Sequence, residues 1–230
     1  MQVCGACYSK LPDRRCPLAR CRFDAPPRRN ITVEKLIADC GMVLDCDNAD
    51  YGCGYRGAWE ALEEHVVECP NREVLCPATD CQERVRLSEL AGHFATSPGH
   101  NVEERFGSGY IVYTVVQDRN ADWGLSTQQI DGATFFEQVV AREGTWFAWV
   151  KVKGGAMEAA RWTCDVSAQN EGFAAKSLEV HSIDRTVEEI LESGQYLALT
   201  KQQVRNIAKS LGSGDFRLNV KCCINEKEDE

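Results

Sequence analysis

No stretch of the chain approaches the ~20 consecutive apolar residues that a membrane-spanning helix needs. The first residues place Arg14, Arg15 and several cysteines where a secretory leader carries its apolar core. With neither feature, the expectation is a cytoplasmic protein, with the nucleus open as a second compartment and no membrane partner. Histidine is scarce, at 4 in 230 residues. Cysteine nearly vanishes after residue 81: of 13 in all, only Cys164, Cys222 and Cys223 lie beyond it. Disulfides would suit a secreted chain, whereas clustered cysteines in a reducing compartment point to metal. No βαβ pattern surrounds Cys4 and Cys7, which argues against a thioredoxin-like redox motif.

The net charge of −9 is unevenly spread. Residues 1–29 carry Lys10, Arg14, Arg15, Arg20, Arg22, Arg28 and Arg29 against Asp13 and Asp24, so the acidic excess lies in the remainder. The basic segment reads either as a solvated surface or as a patch for nucleic acid or an acidic partner. The acidic remainder argues against broad nucleic-acid binding, and no nucleic-acid partner is expected.

Four segments follow from composition. Residues 1–29 are poor in apolar side chains and end at Pro26 and Pro27, a stiff, non-helical connector. Residues 30–101 open on "NITVEKLIADCG", where Asn30 or Thr32 can cap a helix with Val33, Leu36 and Ile37 at helical spacing and Gly41 as its stop. Residues 105–224 hold short runs rich in β-branched and aromatic residues: 109–116, 134–141, 145–152, 161–168, 176–183, 195–199 and 216–222. Turn signals such as Arg142-Glu143-Gly144 and Lys153-Gly154-Gly155 separate them. "TVEEILESG" and "TKQQVRNIAKSLG" read as short helices, each opening at Thr and stopping at Gly. Residues 225–230 read as a charged, disordered tail. The predicted fold class is α+β, mainly β: two small zinc fingers followed by an antiparallel β-sandwich.

The metal reading rests on a repeat. The first copy is Cys46-x6-Cys53-x11-His65-x3-Cys69, the second Cys76-x4-Cys81-x11-His93-x6-His100. Zinc takes four thiolate or imidazole ligands in a tetrahedron, and the copies supply Cys3His and Cys2His2. His65 and Cys69 are four apart, on one helical face, while Trp59, Leu62 and Val66 form a stripe for burial. His93 and His100 are seven apart, roughly 10 Å along a continuous helix. They can share an ion only because Pro98-Gly99 breaks the helix before His100. Two structural Zn2+ ions are expected. With four protein ligands closing each site, no position is left for activated water. Cys40 lies outside both patterns and reads as a core cysteine. His181 reads as structural or exposed, and Cys222-Cys223 as packing residues on opposite strand faces.

At these motifs the chain resembles the seven-in-absentia family of RING-type ubiquitin ligases. "CDNADYGCGYRGAWEALEEHVVEC" and "CPATDCQERVRLSELAGHFATSPGH" resemble the family's two fingers, departing in the final x6. Asp122-Trp123, "TWFAWVKV" and "DFRLNVKC" resemble its TRAF-like sandwich more loosely. The resemblance implies a RING that docks a ubiquitin-conjugating enzyme, a sandwich that holds degron peptides of protein substrates as an added strand, and a homodimer. It implies a peptide groove at 109–125, with Asp122 and Trp123 as substrate-binding residues against the plainer reading of a turn Asp and a core Trp.

The departure is at the front. Cys4/Cys7 and Cys16/Cys21 resemble the third and fourth ligand pairs of a RING, the last widened from x2 to x4. Counted from Met1, the first two pairs are missing. The four cysteines are half of a RING or gather on a third zinc. Two hypotheses stay open: a ligase completed upstream, with no catalytic residue of its own, or an adaptor that binds protein partners without transferring ubiquitin. A nucleic-acid-binding finger protein is disfavoured by the acidic "AWEALEEHVVE".

Overall fold

The computed structural model describes residues 30–78, 81–96, 102–105, 110–115, 122–168, 172–207, 209–210 and 216–227. Among these the chain divides into two compact units, residues 30–44 with 56–62, and residues 45–55 with those from 63 onward. In the first unit, helix α1 (Ile31–Asp39) starts where the Asn30 Oδ1 accepts from the Val33 N–H at 3.1 Å, and it is followed by Gly41 at φ +60°. Cys40 is exposed, contrary to the core position expected of it: its N–H still bonds the Leu36 carbonyl, and its thiol follows the helix end into solvent. Strands β1 (Leu44–Asp45) and β2 (Arg56–Gly57) precede helix α2 (Trp59–Glu68), of which residues 59–62 belong to this unit and residues 63–68 to the second. On α2, Leu62 is buried and Trp59 and Val66 are half-buried.

In the second unit, hairpin strands β3 (Glu73–Leu75) and β4 (Arg84–Arg86) lead through a 3-10 turn to helix α3 (Leu90–Thr96). Two larger sheets follow. The first contains β5 (Val102–Arg105), β7 (Asp122–Ile130), β8 (Ala133–Arg142), β9 (Thr145–Val152), β12 (His181–Ser182) and β13 (Leu197–Thr200). The second contains β6 (Tyr110–Val115), β10 (Trp162–Ala168), β11 (Phe173–Glu179), β14 (Lys209–Ser210) and β15 (Phe216–Glu226). The short helices are α4 (Ala156–Ala160), α5 (Val187–Ser193) and α6 (Lys201–Ile207). Phe135, Val139, Val150, Trp162, Val166 and Leu218 belong to one apolar core drawn from both sheets.

Local chemistry sets the hairpins and caps. Asp131 and Gly132 between β7 and β8, and Glu143 and Gly144 between β8 and β9, all have positive φ (48°, 81°, 50° and 76°). That is the two-residue turn whose twist matches its flanking strands. Helix α5 carries a reciprocal capping box between Thr186 and Glu189 and stops at Gly194, φ +71°.

Several expectations are corrected by pairing. The run 176–183 is not one strand: β11 pairs with β10, the chain crosses at buried Val180, and β12 joins the other sheet parallel to β9. Helix α6 ends at Ile207, because Lys209 and Ser210 form a ladder with Arg217 and Phe216. The ladders are not all antiparallel, since β5 runs parallel to β7. Strand β7 was not expected, and β15 runs to Glu226, past the predicted start of the tail.

The middle of the first sheet is covered on both faces. From Phe135 to Ala141, every residue of β8 is buried. Outward-facing Phe136 packs with Leu125 and Ile183 against Val74, Cys76, Leu87 and Leu90 of the second finger. Val140 and Trp149 pack against Ile190 of α5. The second finger therefore shares a core with the sheets.

Candidate metal centres

Each cysteine pair is presented by a tight turn and each histidine by the helix after it. In the first centre the Cys46 N–H bonds the Tyr55 carbonyl, and the chain between winds through a 3-10 turn (Ala49–Tyr51) that ends at Gly52, φ +89°. This closes Cys46 and Cys53 onto one end of α2. Cys46, Cys53, His65 and Cys69 converge, all ligand atoms within 4.8 Å of one another. Cys46 Sγ lies 3.8 Å from Cys69 Sγ, and Cys53 Sγ lies 3.2 Å from His65 Nε2. Around a tetrahedral zinc, with sulfur at ~2.3 Å and nitrogen at ~2.0 Å, those separations are ~3.8 Å and ~3.5 Å. The residues fit the ion.

In the second centre, the Cys76 N–H bonds the Glu83 carbonyl and the Cys81 N–H bonds the Ala78 carbonyl. Cys76, Cys81 and His93 converge, with Cys81 Sγ 3.5 Å from His93 Nε2. His100, the expected fourth ligand, lies outside the described residues, as do Cys4, Cys7, Cys16 and Cys21. Asp122 and Trp123 begin strand β7, and their side chains are likewise outside the described set.

The surroundings of the first centre favour a cation. The Tyr55 backbone N–H holds the Cys53 thiol below its ordinary range, while burial pushes Cys69 up to about 11. A bound cation favours the thiolate form of both. The His65 ring stacks on Tyr55, with centroids 3.9 Å apart and planes within 7°. The Asn48 backbone N–H reaches Cys46 Sγ at 3.4 Å. Its side-chain amide lies 3.9 Å from the same sulfur and 3.6 Å from Cys69 Sγ. In the second centre, Glu83 Oε2 sits 3.5 Å from His93 Nδ1 and orients the ring, a common outer contact of metal-bound histidine. Sequence reasoning missed Asn48 and Glu83, although each stands two residues after a ligand cysteine.

Three polar tethers join these fingers to the sheets. The Glu68 carboxylate, one residue before Cys69, accepts from the Gly155 and Met157 N–H groups at 3.0 Å each. Arg72 donates to the Cys69 carbonyl at 3.1 Å and pairs with Asp184 at 2.7 Å. Gln138 donates to the Pro77 carbonyl and accepts from Trp149 Nε1 at 3.1 Å.

The remaining candidates have structural roles. His181 is buried; its Nε2 donates to the Gln195 carbonyl at 2.9 Å, its Nδ1 accepts from Arg185 at 3.3 Å, and burial lowers its pKa. Cys222 packs in the core and Cys223 is half-buried. Burial pushes the Cys164 thiol up to about 12. Among the described residues, no helix is long and apolar enough to cross a membrane.

No protein-family model matches the chain. It is similar to an E3 ubiquitin-protein ligase SINA-like 11 of Arabidopsis thaliana, at 23% identity over 128 residues, which is 56% of this chain. The match covers 35% of that protein, so the chain spans about a third of the length of the curated relative it matches. This likeness and the two Cys/His clusters together support a seven-in-absentia-type relation.

Proposed function

We propose that this chain serves ubiquitin ligation of the seven-in-absentia type. Cys46, Cys53, His65 and Cys69 hold one zinc, and Cys76, Cys81, His93 and His100 hold a second. The two-sheet body is TRAF-like and binds degron peptides of protein substrates, with Asp122 and Trp123 in the groove, and the chain works as a homodimer in the cytoplasm or nucleus. Cys4, Cys7, Cys16 and Cys21 belong to a RING that docks the ubiquitin-conjugating enzyme. The zinc supplies a structural cross-link. No group of this chain attacks the thioester. The substrate lysine amine takes the ubiquitin carbonyl, the conjugating enzyme's thiol leaves, and the ligase contributes proximity.

The observation that carries this reading is the convergence of Cys46, Cys53, His65 and Cys69 in the spacing that the family uses, followed by a second cluster that shares a core with the sheets. The likeness to a SINA-like ligase supports it. The test is a reconstituted reaction of this chain with activating enzyme, conjugating enzymes, ubiquitin and ATP. Ubiquitin chains on the protein that disappear on chelation are expected. Peptide binding without any ubiquitin transfer would instead establish the adaptor reading.

A further inference from the structure

The first centre is served by a residue that its own ligand motif does not contain. Arg86 stands at the end of β4, in the hairpin of the second finger. Its guanidinium lies 3.0 Å from the Tyr51 ring centroid and donates to the Asn71 carbonyl at 3.0 Å and to Asn48 Oδ1 at 3.4 Å. Asn71 in turn donates to the Tyr51 carbonyl at 3.0 Å. Arg86 is thus fixed by a stacked ring and a backbone oxygen, and it holds the oxygen end of the Asn48 carboxamide.

That contact decides which way the carboxamide points. An Asn side chain has one acceptor end and one donor end. With Oδ1 held by a cation, Nδ2 is turned toward Cys46 Sγ and Cys69 Sγ, at 3.9 and 3.6 Å. An N–H facing a thiolate withdraws charge from it. A Cys3His set around a divalent cation carries a net negative charge, so such donors stabilise the loaded centre. Reversed, the carboxamide would point its oxygen at two sulfurs and repel them.

We infer that Asn48, oriented by Arg86 of the second finger, is a positioning residue that strengthens the first centre's hold on a divalent cation and makes that hold depend on the second finger's hairpin. The dependence has a direct route. Cys76 and Cys81 flank the turn between β3 and β4, and Glu73 pairs with Arg86 across that ladder. Ordering of the hairpin by its own ligands therefore places Arg86. This inference rests on the metal reading of the first centre.

The test uses the full chain and Zn2+ or Co2+ alone. Asn48→Asp keeps the shape and replaces the donor with a carboxylate; Arg86→Met removes the orienting charge from outside the first finger. Zinc affinity is read by competition with a chromophoric chelator. Loss of an outer-shell partner costs about 10- to 100-fold in affinity. Asn48→Asp is expected to weaken one of the two sites by that amount, and Arg86→Met to weaken the same site by less. In the cobalt-loaded protein, the sulfur-to-metal charge-transfer band is expected to move to longer wavelength in Asn48→Asp, because sulfurs that lose an N–H donor are richer in electrons. Mere loosening of the fold would not move the band. An unchanged affinity and band in both variants would overturn the inference while leaving the metal reading intact, as would equal weakening of both sites. Wild-type protein that takes up no metal through Cys46, Cys53, His65 and Cys69 would overturn the metal reading itself. If Asn48→Asp does not fold, Arg86→Met decides by the same two measurements.

Discussion

Replacing Gln138 with leucine tests whether the second finger and the sheets are one folded body. The Gln138 side chain is 3% exposed, and its two polar ends serve two elements. The amide oxygen accepts from the Trp149 indole N–H, and the amide nitrogen donates to the carbonyl of Pro77, the neighbour of ligand Cys76. Leucine fills a similar volume with no polar atom. It leaves a buried indole N–H and a buried carbonyl without these partners, each at a cost of about 1–3 kcal/mol. The removed amide no longer needs desolvating, which offsets part of this, so a net loss of about 2–4 kcal/mol is expected. For a folded unit of this size that corresponds to a Tm lower by on the order of 10 °C. The assay is urea unfolding of the zinc-loaded protein followed by far-ultraviolet circular dichroism. A double-mutant cycle with Trp149→Phe completes it, since phenylalanine removes the donor that Gln138→Leu strands. Trp149 is 1% exposed, so Trp149→Phe costs stability by itself, but it should cost about 1–3 kcal/mol less in the Gln138→Leu variant than in wild type. A loss under about 0.5 kcal/mol for the single variant, or no coupling in the cycle, would refute the tether.

His65→Ala should leave one zinc fewer per chain by elemental analysis and unfold the first finger, because structural zinc contributes on the order of 10 kcal/mol in such modules; an unchanged melting profile would count against that ligand set. Gly155→Ala should destabilise the junction, since a Cβ there meets the Glu68 carboxylate that accepts from the Gly155 N–H. Adding Glu68→Ala should relieve the clash but not restore the lost hydrogen bonds, and a Gly155→Ala protein as stable as wild type in chemical unfolding would sink the account. Burial lowers Lys151 to about 8, so between there and its ordinary 10.5 the unfolded chain binds more protons and stability rises with pH. From pH 7.5 to 9.5 wild type should gain about 2 kcal/mol relative to Lys151→Met, and parallel curves for the two proteins would refute the buried charge.

Much of the local structure was legible because its causes are local. A thiolate or imidazole at a fixed spacing needs only a turn or a helical face to meet its partners, and Cys46, Cys53, His65 and Cys69 meet as the repeat predicts. Thr186 and Gly194 bound a helix by backbone chemistry alone, and Arg142-Glu143-Gly144 marks a turn because glycine accepts positive φ. Strand β7 escaped notice because "STQQ" is polar. Ser126 and Gln128 are nonetheless buried, and Ser126 donates to Glu137 on the neighbouring strand at 3.0 Å. That partner lies eleven residues away and satisfies the polar group only once the hairpin is formed.

The sequence by itself determined where helices are capped and where hairpins turn, since each depends on residues a few positions apart, and which side chains can bind metal, since their types recur at a fixed spacing. Only the tertiary structure decided what those atoms are packed against. Phe136, Gln138 and Val140 alternate with core residues along β8 and would face solvent in a free-standing sheet. They are buried because a finger from residues 74–94 and a helix from residues 187–193 cover that face. Arg86 and Asn48, thirty-eight residues apart, likewise become partners only in the folded chain. The free energy of closing so long a loop is recovered only through contacts that exist in the folded chain, and no local pattern records that exchange.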